Sequence, residues 1–212
     1  MDETTAGATF EVTRNVALWT HGVTAAAFIV GATVYSIRGL RTSEIADYEA
    51  DCDAGVPGAC SRYEATERER RLDRELGGAL LLSSLAPVAG LLLFDSSNPA
   101  RLDPSNRGAA SVLSGATAAL SIATAGLFVH TFKLRSDFGD AADACFGGDC
   151  DEMMEAEFDV SSSLALPMIV TGINYVLSMS GTVWLSVVQR HEVSLAPALD
   201  TNYTGATLTG RF

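Results

Sequence analysis

Charge is what this sequence withholds. Of its 212 residues 48% are hydrophobic and only 19% are charged, a more apolar balance than an ordinary soluble domain of this length carries. The shortfall is local: residues 16–37, 76–94, 108–129 and 160–188 contain no Asp, Glu, Lys or Arg. Lysine occurs once, at Lys133, and the net charge is −12, which argues against nucleic acid as a partner. A nucleophile elbow, a P-loop, a dinucleotide fingerprint and a His-Glu-x-x-His pair are all missing, so no enzyme class and no cofactor is indicated. Met1–Arg14 has Asp2, Glu3 and Glu11 where a signal peptide would have a basic region, and the first apolar run therefore reads as a retained anchor.

What is present is length and apolarity. At about 1.5 Å per residue the four runs reach roughly 28–43 Å as helices, against about 30 Å for a bilayer's hydrocarbon core. A soluble bundle is the alternative, but its outer helices would need polar residues at every third or fourth position. These runs offer only Ser, Thr and an occasional His or Asn. Trp19 and Trp184, near span ends, fit an interfacial aromatic belt. The expectation is an all-α membrane protein with four transmembrane helices.

The two halves look like copies of one unit. After an N-terminal tail (1–15), a first helical hairpin (16–94) has spans 16–37 and 76–94 around a cysteine loop (38–75). A turn (95–107), broken by Asn98-Pro99 and Asp103-Pro104, leads to a second hairpin (108–188) with spans 108–132 and 160–188 around a loop (133–159). The approaches to the cysteines agree, Asp47-Tyr48-Glu49-Ala50-Asp51-Cys52 against Asp140-Ala141-Ala142-Asp143-Ala144-Cys145, and the second helix of each unit carries a proline, Pro87 or Pro167. Duplication explains this better than chance. Glu64/Arg68 and Glu67/Arg71, four apart with the acid first, extend the second span beyond the membrane as helix. Residues 189–212 alternate apolar with Ser and Thr around Asp200-Thr201-Asn202 and read as a short C-terminal β-hairpin.

Four cysteines in two close pairs suggest local disulfides in an oxidising compartment. Pairing neighbours, Cys52 with Cys60 and Cys145 with Cys150, closes the shortest loops. Cross-pairing between the loops stays open, as does a four-cysteine zinc site, although the two-residue spacing usual for zinc is absent. Disulfides place both loops outside and the termini in the cytoplasm. Nine of the fourteen Lys and Arg residues lie on the cysteine face and argue the opposite way. The recurrence of the paired loop favours the first orientation.

Chemistry within the spans is sparse. His21 and His130 lie roughly 25 Å apart in depth, so they do not share a ligand, and helix packing is the plain reading of each. The acid-rich stretch 137–159 lacks the alternating donors and closing glutamate of an EF-hand, leaving at most a surface calcium site. Small residues recur at helical spacing, Ser111, Gly115, Ala119 and Ala123 on one ridge and Gly22 with Ala26 on another, which suits close helix packing within or between chains.

A span, an acid-rich loop with a close cysteine pair, an Arg/Glu-rich lead into a second span and a tail from Val193-Ser-Leu-Ala-Pro197 to Gly205-Ala-Thr-Leu-Thr-Gly-Arg-Phe212 resemble the C-terminal membrane part of tetratricopeptide-containing envelope proteins of Gram-negative bacteria. The tetratricopeptide region itself is lacking and the hairpin occurs twice. The closing Gly210-Arg211-Phe212 is also similar to the last strand of outer-membrane barrels, though one hairpin closes no barrel. The resemblance implies an inner-membrane protein with periplasmic cysteine loops, the outer membrane being the alternative. With membrane lipid and a protein partner or a second copy as its contacts, the expected role is a non-enzymatic structural or accessory subunit. A small-solute channel or transporter, with Asn174 and the Ser/Thr residues of the last span lining the path, is the second expectation.

Overall fold

The computed structural model describes residues 3–40, 43–145, 150–190, 194–200 and 203–209. Seven helices make its body: α1 Glu3–Gly39, α2 Ser43–Asp53, α3 Ala59–Ser83, α4 Leu85–Ser96, α5 Pro104–Cys145, α6 Asp151–Ser163 and α7 Ala165–Arg190. Six of them form four rods, α1, α3 with α4, α5, and α6 with α7, the paired helices being nearly continuous, and the short α2 packs beside α3. Four helical stretches, Ala8–Asp53, Ala59–Ser96, Pro104–Cys145 and Asp151–Gln189, are long and apolar enough to cross a membrane. At the C-terminus β1 Ser194–Asp200 runs antiparallel to β2 Tyr203–Thr209, with Ser194 opposite Thr209. The turn residues Thr201 and Asn202, the closing Gly210-Arg211-Phe212 and Phe146–Asp149 of the second cysteine loop lie outside the described residues.

Local chemistry sets the helix ends. At α5, Asp103 Oδ1 accepts the Ser105 backbone N–H at 2.8 Å and its hydroxyl at 2.7 Å, and Pro104 occupies the first helical position, where its missing N–H costs nothing. These hydrogen bonds hold the Asp103 carboxyl below its ordinary pKa. At the other extreme α1 stops where the Gly39 carbonyl accepts Nε–H bonds from both Arg70 and Arg74 at 3.1 Å. A side chain on Gly39 would lie 2.6 Å from Arg74 Cγ. The breaks at Ser84 and Leu164 each fall three residues before a proline, Pro87 or Pro167. Each ring lacks an N–H and crowds the carbonyl four residues back, that of Ser83 or Ser163.

The helical body is longer than the uncharged runs. Residues 3–15 continue α1 instead of forming a tail, and both cysteine loops are largely helical, the first holding α2 and the start of α3, the second the end of α5 and the start of α6. Their charge conceals an amphipathic pattern: Ala65, Leu72, Phe138, Ala142, Cys145, Met153 and Val160 form an apolar core of their own. We call this part the headpiece.

The rods pack as a bundle in which α1 lies against α3, α4 and α5, and α7 against α4 and α5. Contents change in bands along its axis. Phe10, Leu93, Leu102, Ala110 and Leu185 fill one apolar layer near the chain termini, and Phe28, Ala32, Leu76, Leu80 and Phe128 fill another toward the headpiece. Aromatic pairs join the hairpins there, Phe28 edge-on to Phe128 at 5.4 Å and Tyr35 stacked on Phe132 at 5.7 Å.

The duplication runs deeper than the cysteines. The shift of 93 positions that lays Cys52 on Cys145 also lays Arg14 on Arg107, Ala17 on Ala110, His21 on Ser114, Gly22 on Gly115, Thr24 on Thr117, Ala25 on Ala118 and Phe28 on Ser121. Ala17, His21, Thr24, Ala25 and Phe28 are all buried, and so are their five counterparts. The two units therefore share a packing face as well as a sequence pattern.

Candidate functional site

Between the two apolar layers lies a band of polar side chains contributed by three rods. His21 of α1 is 1% exposed; its Nδ1 lies 3.1 Å from Ser121 Oγ and its Nε2 3.3 Å from Thr117 Oγ1, both on α5. Asn174 of α7, 0% exposed, donates through Nδ2 to Ser121 Oγ at 2.9 Å and accepts at Oδ1 from the Ser178 hydroxyl at 3.4 Å. The fourth rod contributes an absence of side chain. A Cβ on Gly90 of α4 would sit 2.5 Å from the imidazole, so only glycine lets this ring enter the bundle. Above the band, Thr171 donates to Ser83 Oγ at 3.1 Å, and Ser163 Oγ stands 3.1 Å from Thr131 Oγ1, so both serines that precede the proline breaks bind across to another rod.

A second constellation joins the hairpins in the headpiece. Arg135 of α5, buried, donates to Asp73 at 2.8 Å and to Glu69 at 2.6 Å, both on α3. Burial alone would lower its pKa, but hydrogen bonds and charge from Asp73 and Glu69 outweigh that and hold it above the ordinary arginine value. The pairing is reciprocated, since buried Glu157 of α6 is gripped by Arg68 and Arg71 of α3. The second hairpin thus sets one buried cation and one buried anion against α3 of the first, and each is met by opposite charge, as burial of an ion requires.

The cysteines pair as neighbours. Cys52 bonds Cys60 and Cys145 bonds Cys150, with Cα separations of 4.6 and 4.5 Å, and no described cysteine stays free for a zinc arrangement. An open cavity of about 430 Å³ beside the first disulfide is lined by Tyr63, Glu64, Glu67, Arg68 and Arg71.

Of the small-residue ridges, Ser111, Gly115 and Gly22 are half-buried, while Ala119, Ala123 and Ala26 are exposed on the outer surface. A Cβ on Gly115 would meet Thr13 of α1 at 3.6 Å. The face of α5 that packs inward is the next one round the helix: Ala110, Ser114, Thr117, Ser121, Thr124, Phe128 and Thr131. Hydroxyls rather than glycines mark it, and Ser114, Thr117 and Ser121 recur at helical spacing on it. His130 is exposed, apart from His21. Carrying the cysteine register of 93 residues back along α5 would have found Thr117 and Ser121 from the sequence, as counterparts of Thr24 and Phe28.

The chain matches no protein-family model, and no characterised protein or solved structure is significantly similar to it.

Proposed function

We propose that this chain is an integral membrane protein acting as a non-enzymatic structural or accessory subunit of a bacterial envelope complex. The observation that carries the reading is the bundle's inverted polarity. Val16, Trp19, Val23, Val30, Ile122, Val129, Ile169, Ile173, Val176 and Val183 face outward and exposed, whereas His21, Thr117, Ser121, Thr124, Thr171, Asn174 and Ser178 are buried. Water would favour the reverse, but lipid makes apolar side chains welcome outside and leaves hydrogen bonds and close packing to hold helices together. Beyond the lipid the disulfide-closed headpiece, rigid and ion-paired, supplies the surface for a protein partner or a second copy. The resemblance to tetratricopeptide-containing envelope proteins supports a Gram-negative envelope, with the headpiece in the periplasm where disulfides form.

Two measurements test this. Extraction in mild detergent should recover the chain with a partner or as an oligomer, and a lone monomer would sink the proposal. Thiol labelling of Cys52, Cys60, Cys145 and Cys150 in cells before and after reduction should place all four outside the cytoplasm.

One observation favours a second reading, a small-solute channel or transporter. The rods break at matching places before Pro87 and Pro167, and the polar band lies in the span between those breaks and the terminal end, an arrangement that frames sites in repeat-built transporters. Solute flux in liposomes that disappears on replacing Asn174 would support it; flux that survives the replacement would count against it.

A further inference from the structure

The polar band is directional, and its direction fixes the proton on His21. The Thr117 hydroxyl spends its hydrogen on the Ser114 carbonyl at 3.1 Å, so toward the imidazole Thr117 Oγ1 is an acceptor and Nε2 carries the N–H. Nδ1 is then the bare nitrogen, and Ser121 must donate to it. Ser121 Oγ in turn accepts from Asn174, whose Oδ1 accepts from Ser178. Every donor from Ser178 to the Ser114 carbonyl thus points the same way, across α7, α5, α1 and back to α5.

We propose that Nδ1 of His21 is a proton-binding site inside the membrane bundle, and that its occupancy weakens the contact between the two hairpins. The site has room for the change without a ligand or cofactor. One proton is taken up at Nδ1; the Ser121 hydroxyl turns its hydrogen to the carbonyl one turn back on α5, as Thr24, Thr124, Thr131 and Thr182 already do on their own helices. Ser121 Oγ then accepts from both Nδ1–H and Asn174, using its two lone pairs.

The new positive charge meets no counter-ion. Facing the ring are the hydroxyls of Thr117 and Ser121 from α5, bare Gly90 from α4 and, through Ser121, the Asn174 amide of α7. Along the packed helices the nearest acidic or basic groups are Arg14 on α1, about two turns away, and exposed Asp95 on α4, which attracts Arg14, and the Tyr175 phenol beside Asn174 on α7 is exposed. Among the described residues His21 is the one ionisable side chain buried between the two apolar layers; the other buried ions, Asp73, Arg135 and Glu157, stand in the headpiece already matched. An uncompensated imidazolium is the costliest state this band can adopt. Because the band joins α1 to α5 and α7, its strain falls on the docking of one hairpin against the other.

The test uses the full chain in lipid nanodiscs with nitrogen-labelled histidine. At neutral pH the His21 resonances should report the Nε2–H tautomer, and acidification should convert them to the doubly protonated form. Spin labels on cysteines placed at exposed Val23 of α1 and Val176 of α7, with the native disulfides left oxidised, should show the inter-hairpin distance shift over the same pH range. The shift should vanish in His21→Gln. Should that variant not fold, Ser121→Ala keeps the ring but removes its donor, and the tautomer preference should be lost. An Nδ1–H tautomer at neutral pH, an unchanged preference in Ser121→Ala, or a distance shift that persists in His21→Gln would overturn the proposal.

Discussion

The bundle and the headpiece are built from the same rods, yet they are opposites in cross-section. In the bundle's middle band, between its two apolar layers, hydroxyls, an amide and an imidazole are inside and Val and Ile are outside; in the headpiece Leu72, Phe138, Met153 and Val160 are inside while acids crowd the surface. Both regions are helical, so secondary structure does not separate them. The surroundings proposed above would: a helix shows each medium the side chains that medium tolerates, and the pattern reverses near Arg38, Asp73 and Arg135, the level at which the proposed lipid would give way to water. The ion pairs sit at that boundary, beyond the uncharged runs.

The comparison is broken most severely by unpairing the boundary ions. Arg135→Met leaves Asp73 buried without its cation and should destabilise by roughly 3–5 kcal/mol, read by thermal unfolding in detergent. Next comes Ile122→Asp on the outer face of α5, expected to cost about 2.5–3.5 kcal/mol of insertion in a glycosylation-mapping assay. Val56→Asp, also exposed but in the headpiece, should stay within about 0.5 kcal/mol. If the two substitutions behave alike, the outer face of the bundle does not meet lipid.

Smaller effects sharpen the contrast. Replacing either cysteine pair by serine should cost about 2–3 kcal/mol, confined to the headpiece and visible as faster hydrogen exchange around α2 or α6. Gly90→Ala drives a methyl into the His21 ring and should cost about 1–3 kcal/mol, whereas Gly22→Ala, with nothing within 4 Å, should be neutral or slightly stabilising. The least effect belongs to Asp103. Its pKa is depressed in the folded state, so its cap contributes fully above the ordinary aspartate value and is lost as pH falls through the folded one. An NMR titration of Asp103→Asn against the parent should remove only that acid limb.

Much of this architecture was legible in the letters. The uncharged runs locate the four long apolar helices, and the close cysteines found each other because short loops close readily. The headpiece was legible only in part: the acid-first pairs Glu64/Arg68 and Glu67/Arg71 marked the start of α3 as helix, but α2, the end of α5 and the start of α6 carry enough charge to read as loop, and Leu72, Phe138 and Met153 become a core only when α3, α5 and α6 come together. The inward face of α5 was missed for a related reason. Ser114, Thr117 and Ser121 count as neutral by composition, and only contact with His21 and Asn174 gives them a role. The break between α1 and α2 has no letter of its own beyond Gly39; it depends on Arg70 and Arg74, 31 and 35 residues downstream, reaching back to a carbonyl.

Each disulfide closes within its own hairpin, and that has a consequence for assembly. Only the connection between α4 and α5, Ser97–Asp103, ties the halves together covalently. Severed there, the molecule would be two complete pieces, each with its own staple and its own pair of rods, and what reunites them would be the aromatic pairs, the polar band and the ion pairs that Arg135 and Glu157 make with α3. The gene for this protein can therefore be cut in two without cutting a single element of its structure.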